Sequence, residues 1–245
     1  MTLFSRSTLA ALPFAARPLA ALLCGCSSES GSVTAVAYGE EFIEEGIPAD
    51  TVDDGWAIHF DHYRVTIRDV TVGGSTLDDA VTVDLTEPSD GEGQELGSLE
   101  LSPGDYTDSS FVIDRVEVEG SAEKDDETKT FSWVFDQAIA YGECDTTTEV
   151  TSGEAARFQV TVHADHMFYD STVSTHPQLL FQPLADADSD GDGEIEEAEL
   201  WETDIGAYDP GSAGGIDDLW AFLEAQARTL GHVDGEGHCH GAEVD

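Results

Sequence analysis

From residue 33 to about 164, apolar residues recur in short β-branched and aromatic runs, each closed by a turn signal. The runs SVTAVAYG, GWAIHF, YRVTIRDVTVGG, AVTVDLTE, LGSLELSPGDY, SSFVIDRVEVEG, KTFSWVF and ARFQVTVHA have strand length and strand composition. FVIDRVEVEG alternates, with Val112, Asp114, Val116 and Val118 on one face and Phe111, Ile113, Arg115 and Glu117 on the other. Gly73-Gly74, Pro103-Gly104 and the acidic SAEKDDET mark turns. Eight such runs with no helical crossover between them predict an antiparallel β-sandwich over 33–166.

After residue 166 the period changes, and 167–245 is expected to be a small helical region. HPQLLFQPLADA offers only a short helix, because Pro183 can begin a helical turn but not sit inside one. IEEAELWETDI predicts a second helix with Ile195, Leu200 and Trp201 inward. After the breaker DPGSAGG, residues Ile216, Leu219, Trp220, Leu223, Ala227 and Leu230 fall on one face at helical spacing. Asp217 and Asp218 suit that helix's first turn and Gly231 its end. A Trp and Leu stripe of this kind reads as packing.

Between these helices stands DSDGDGEIEEAE, residues 188–199. Asp188, Asp190 and Asp192 occupy positions 1, 3 and 5, where their oxygens can converge on one centre. Gly193 at position 6 permits the sharp turn, Glu194 at 7 offers its carbonyl, Glu196 at 9 acts through water, and Glu199 at 12 closes the shell. Ile195 at position 8 is the apolar residue that pins the loop. The segment resembles the EF-hand calcium loop at every diagnostic position. An all-oxygen, flexible cage suits Ca²⁺ better than Mg²⁺. No second such loop is visible, so the resemblance implies a structural staple and not a sensor.

Charge narrows the partners. The 245 residues carry 52 acids and 9 bases, a formal charge of −43. Long-range repulsion therefore disfavours nucleic acid and anionic lipid as ligands. An acidic surface is also what solubility in a saline habitat requires.

The N-terminus, MTLFSRSTLAALPFAARPLAALLCGCSSES, has Arg6 and Arg17, no acids before Cys26, and an apolar stretch from Pro18 to Leu23 too short to span a bilayer. Leu23-Cys24-Gly25-Cys26 resembles the bacterial lipoprotein lipobox, with small Gly25 before Cys26. The resemblance implies a signal peptide over 1–25, lipidation at Cys26, a tether over 26–32 and attachment to the outer membrane. In an exported chain the remaining pair, Cys144 and Cys239, is expected to form a disulfide; the competing reading makes Cys239 a soft metal ligand. LELSPGDY followed by SSFVIDRVEVEG resembles exported β-sandwich lipoproteins, some of them related to periplasmic copper-binding proteins.

His59-Phe60-Asp61-His62 and His163-Ala164-Asp165-His166 share one form, and the tail adds His232, His238 and His240. Histidines three apart on a straight strand point to opposite faces, so such a pair needs a bend or a helical turn to chelate. If one forms, the expected set is His163, His166 and Asp170, with His238 and His240 next, and the expected ion Cu²⁺ or Zn²⁺. No nucleophile elbow, phosphate loop or HExxH motif is present, and no acid pair stands out among so many. The expectation is a calcium-binding envelope lipoprotein with a binding or structural role toward an envelope protein or ligand, and not an enzyme. The alternative is a periplasmic copper- or zinc-binding protein.

Overall fold

The alternation at 109–124 produces one long strand, but its inward face changes halfway. The computed structural model, which describes residues 30–212 and 214–244, pairs Thr66 with Arg115 and then Ile67 with Ile113. Asp114 is thus an inserted residue. Before it Phe111 and Ile113 are buried, and after it Val116 and Val118. A one-residue bulge moves every following side chain to the other face, which is why the single-face division of FVIDRVEVEG does not hold along its whole length. A second slip, between Phe60 and His62, does the same to the facing strand.

In chain order the elements begin with β1 (Gly31–Tyr38), the helical turn α1 (Glu40–Glu44), β2 (Ala57–Val72), β3 (Ser75–Leu77), β4 (Val81–Asp84) and β5 (Gln94–Leu101). Then follow β6 (Gly104–Tyr106), β7 (Ser109–Lys124), β8 (Glu127–Phe135), β9 (Ile139–Gly142), β10 (Thr148–Val150) and β11 (Ala155–Val162). After a 3₁₀ turn over Ala164–Phe168 come α2 (Gln182–Ala185), β12 (Glu194–Ile195), α3 (Glu197–Glu202), α4 (Leu219–Ala227), β13 (Gly231–Val233) and β14 (His240–Glu243). The protein is mainly β, with 46% of the described residues in strand and 14% in helix. Residues 1–25, where a signal peptide is expected, and Cys26, where lipidation is expected, lie outside the described residues.

The larger sheet runs β12-β8-β7-β2-β3, with β4 on β2 and the pair β9–β14 on β7. The smaller runs β13-β11-β1-β5. The sequence pattern predicts wholly antiparallel pairing, but β1 and β11 are parallel from Ser32↔Ala155 to Tyr38↔Thr161. All of β2 to β10 lies between them in the chain, a return path long enough for a parallel partner. Val33, Ala35 and Phe158 of the smaller sheet share one continuous core with Tyr63, Val118 and Trp133 of the larger.

The segment after residue 166 joins that core through Phe181, Leu184, Leu200 and Leu223. Three of its short strands extend the sheets: β13 on β11, β14 on β9 and β12 on β8. Its helices are shorter than the apolar stripe suggests. Asp218 accepts the Ala221 N–H at 2.9 Å and starts α4. Ile216 and Leu230 fall outside the helix, and Gly231 begins β13 instead of ending α4. Trp201, expected inward, is 50% exposed.

Candidate metal centres

The 188–199 loop folds around its own backbone. Asp188 accepts the N–H of Gly191 at 2.8 Å on Oδ1 and that of Gly193 at 3.0 Å on Oδ2. Asp190 accepts from the Asp192 N–H at 3.1 Å, and Asp192 from the Glu194 N–H at 2.8 Å. Each short side chain thereby fixes the turn two to five residues ahead of it. Gly191 and Gly193 supply the left-handed backbone that this spiral needs, at φ 75° and 92°. One oxygen from each of Asp188, Asp190 and Asp192 lies within 4.8 Å of the other two. Oxygen ligands at 2.3–2.6 Å from a calcium ion sit at most about 5 Å apart across it, so the triad matches that cage in size.

The three glutamates behave differently. Glu199 reaches back to the loop, accepting from the backbone N–H of Ser189 at 2.7 Å on Oε1 and from that of Glu196 at 3.2 Å on Oε2. Glu196 and Glu199 form a reciprocal capping box at the start of α3. The Glu194 side chain is exposed. Among side-chain ligand atoms of the described loop residues, only those of the three aspartates form the group; the expected role of Glu194 is through its carbonyl and does not depend on its exposed side chain.

Ile195 shows what braces a solitary loop. It is fully buried, pairs in parallel with Phe131 of β8, and its carbonyl accepts the Trp133 indole N–H at 3.0 Å. The Thr130 N–H donates to the Gly193 carbonyl at 2.8 Å. The edge of the larger sheet thus holds the loop.

From that edge Lys129 donates to Asp188 Oδ2 at 2.7 Å, and the Asp188 side chain is wholly covered. The Lys129 bond, then the two glycine N–H groups, hold the Asp188 carboxyl below the usual carboxylate range. Burial opposes the same shift in Glu199, but the N–H groups it accepts outweigh it and its pKa is lowered. Lys129 lies 59 residues from Asp188 and belongs to no loop motif. Its one sequence signal is that the chain has only two lysines.

A second cluster forms where β11 meets β13. The pairing Thr161↔His232 and the bond from the His163 N–H to the Leu230 carbonyl at 3.0 Å bring the tail histidine to the end of β11. There the chain enters its 3₁₀ turn, so His163 and His166 come to one side as a straight strand forbids. The ring centres of His163, His166 and His232 lie 4.4 to 5.3 Å apart.

The Nε2 of His163 lies 3.1 Å from the Gly235 carbonyl, and the Nδ1 of His166 lies 2.9 Å from the Thr229 carbonyl. Carbonyls only accept, so these nitrogens carry the protons and the opposite ones keep lone pairs. Asp165 accepts the Tyr169 hydroxyl at 2.6 Å on Oδ2, and its Oδ1 lies 3.9 Å from His163 Nδ1. One ligand atom from each of His163, Asp165 and His166 falls within 4.8 Å of the others.

His232 is 6% exposed, and its Nδ1 has no hydrogen-bond partner among the described residues. Burial, then the neighbouring imidazoles of His163, His166 and His238, pushes its pKa down to about 3. Burial also lowers His166. Glu40 closes the cluster, 3.9 Å from His163 Nδ1. An open cleft of about 370 Å³ reaches His166, His232 and His238.

The other expected ligands are placed elsewhere. Asp170 accepts the Gln178 N–H at 2.9 Å and pins a surface turn. His240 sits on β14 with its side chain 85% exposed, 4.0 Å from Glu143. His238 is exposed but packs its ring 5.1 Å from that of His232. In the first HxxH segment, His62 bonds Asp84 at 2.6 Å, apart from the cluster. Cys239 is not a free thiol: the expected Cys144–Cys239 disulfide is present and ties the tail to the segment after β9. No protein-family model, curated protein or solved structure matches the chain.

Proposed function

We propose that the protein is a calcium-binding component of the bacterial cell envelope, exported and anchored by lipid on Cys26, with a binding or structural role and no catalytic one. One Ca²⁺ bound through Asp188, Asp190 and Asp192 staples the segment after residue 166 to the larger sheet. The observation that carries this reading is the attachment of the loop: Ile195 buried against β8 and Lys129 on Asp188 couple the order of the ligands to the order of the sheet. Extracellular modules bind calcium at about 10⁻⁴–10⁻³ M, so outside the cytoplasm the loop is filled and acts as a fixed strut.

The test is thermal melting of the mature chain after chelation, with and without added Ca²⁺, beside the Asp190→Asn/Asp192→Asn variant. Calcium raises the melting temperature of the parent and not of the variant. Equal melting of the parent with and without calcium rejects the staple. Anchoring is tested separately, by lipid labelling of the exported chain and of Cys26→Ser. The copper or zinc alternative rests on other residues, His163 and His166, and is independent of the loop.

A further inference from the structure

The histidine cluster is built as a metal site is built. Zinc or copper held by imidazole sits about 2.0–2.1 Å from the ligating nitrogen, and thus about 3.2 Å from the ring centre. Three rings around one tetrahedral ion then have centres about 5.2 Å apart. The observed separations are 5.3 Å for His163–His166, 5.1 Å for His166–His232 and 4.4 Å for His163–His232. The triangle is nearly of that size, and slightly tight on one side.

Protonation also fits. Metal-ligating histidines hand their other N–H to a carbonyl or carboxylate, which fixes the tautomer. His163 and His166 do this through Gly235 and Thr229. His232 adds a different observation, a ring nitrogen that is buried and unpaired. A buried polar atom without a partner is unfavourable unless something binds it. Asp165 keeps one oxygen on Tyr169 and turns the other toward His163.

We propose that His163, Asp165 and His166, whose ligand atoms lie within 4.8 Å of one another, bind one divalent transition ion of the zinc or copper class at the junction of β11, the 3₁₀ turn and β13, and that His232, whose ring packs on theirs, joins them when its unpaired nitrogen turns to the ion. Imidazole nitrogen selects such ions over calcium, which takes oxygen. The two negative charges of Asp165 and nearby Glu40 offset the charge of the ion. The open cleft beside His166 and His232 gives the ion a path from solvent. Asp170 and His240 take no part, and His238 stands outside the ligand set.

The test uses the mature chain, stripped by chelator and then saturated with Ca²⁺ so that the acidic loop does not compete. Titration calorimetry with Zn²⁺ and with Cu²⁺ is expected to show one equivalent bound for at least one of them. His163→Gln, His166→Gln and His232→Phe each weaken that binding by about tenfold or more, as loss of a ligand does. Asp170→Asn, His240→Gln and the loop variant Asp190→Asn leave it unchanged. A single cooperative thermal unfolding transition in chelator shows that each variant folds. Should His232→Phe fail to fold, His166→Gln, at a partly buried position, decides. The proposal is overturned if the parent takes up neither ion at micromolar concentration, or if uptake survives the histidine variants. It is also overturned if uptake disappears with the loop variant.

Discussion

Replacing Ile195 with alanine tests whether the acidic loop is fastened to the sheet or merely lies near it. Ile195 is fully buried in the common core. The change removes three carbons, a transfer loss of about 2.4 kcal/mol at about 0.8 kcal/mol each. Its neighbours Phe131 and Trp133 are stacked on one another at 4.5 Å and cannot easily close the gap, so a cavity term brings the total to about 3–4 kcal/mol. For a chain of this size that lowers the melting temperature by about 6–16 °C.

The calcium response should fall with it. At a calcium concentration 100 times the dissociation constant, the ion contributes about 2.7 kcal/mol. If the loosened loop binds ten times more weakly, about 1.4 kcal/mol remains, and the calcium-dependent rise roughly halves. Differential scanning calorimetry in chelator and in calcium measures both quantities. Ile195→Val, expected to cost only about 0.5–1.5 kcal/mol, is the control. An alanine variant that melts within about 2 °C of the parent in chelator and keeps the full calcium rise refutes the coupling of loop and sheet.

Three further outcomes are expected. The Asp188 carboxyl is held low chiefly by Lys129, so its contribution is present above the ordinary aspartate range and is lost as pH falls through its depressed value. Lys129→Met therefore flattens the calcium-free acid-unfolding curve below about pH 4, and an unchanged curve contradicts the pairing. Removing the Cys144–Cys239 bond, which spans 95 residues, as Cys144→Ala/Cys239→Ala costs about 4–5 kcal/mol in denaturant titration. Gly120→Ala places a methyl carbon 2.2 Å from the His59 carbonyl in the middle of β7 and lowers stability by about 3 kcal/mol, read by the same titration.

What could be read along the chain was whatever its neighbours in sequence decide. The acidic loop lies within twelve residues, and its turns are set by aspartates bonding the backbone a few positions ahead, so spacing alone points to the gathering of Asp188, Asp190 and Asp192. The β content was legible because alternation has a period of two. The Cys144–Cys239 pair followed from cysteine count and an expected oxidising compartment.

Tertiary structure decided the rest. Bulges at Asp114 and beside His62 reverse which residues face the core, and only the facing strand's register exposes them. Lys129 and the β8 edge join the acidic loop through a pairing that no local pattern encodes. The histidine cluster shows the same division. The HxxH spacing pointed to His163 and His166, but Asp170 and His240 are drawn away into a surface turn and an edge strand. His232 arrives because β13 adds to β11. Contacts between distant segments depend on the free energy of the whole arrangement, and sequence spacing carries no record of it.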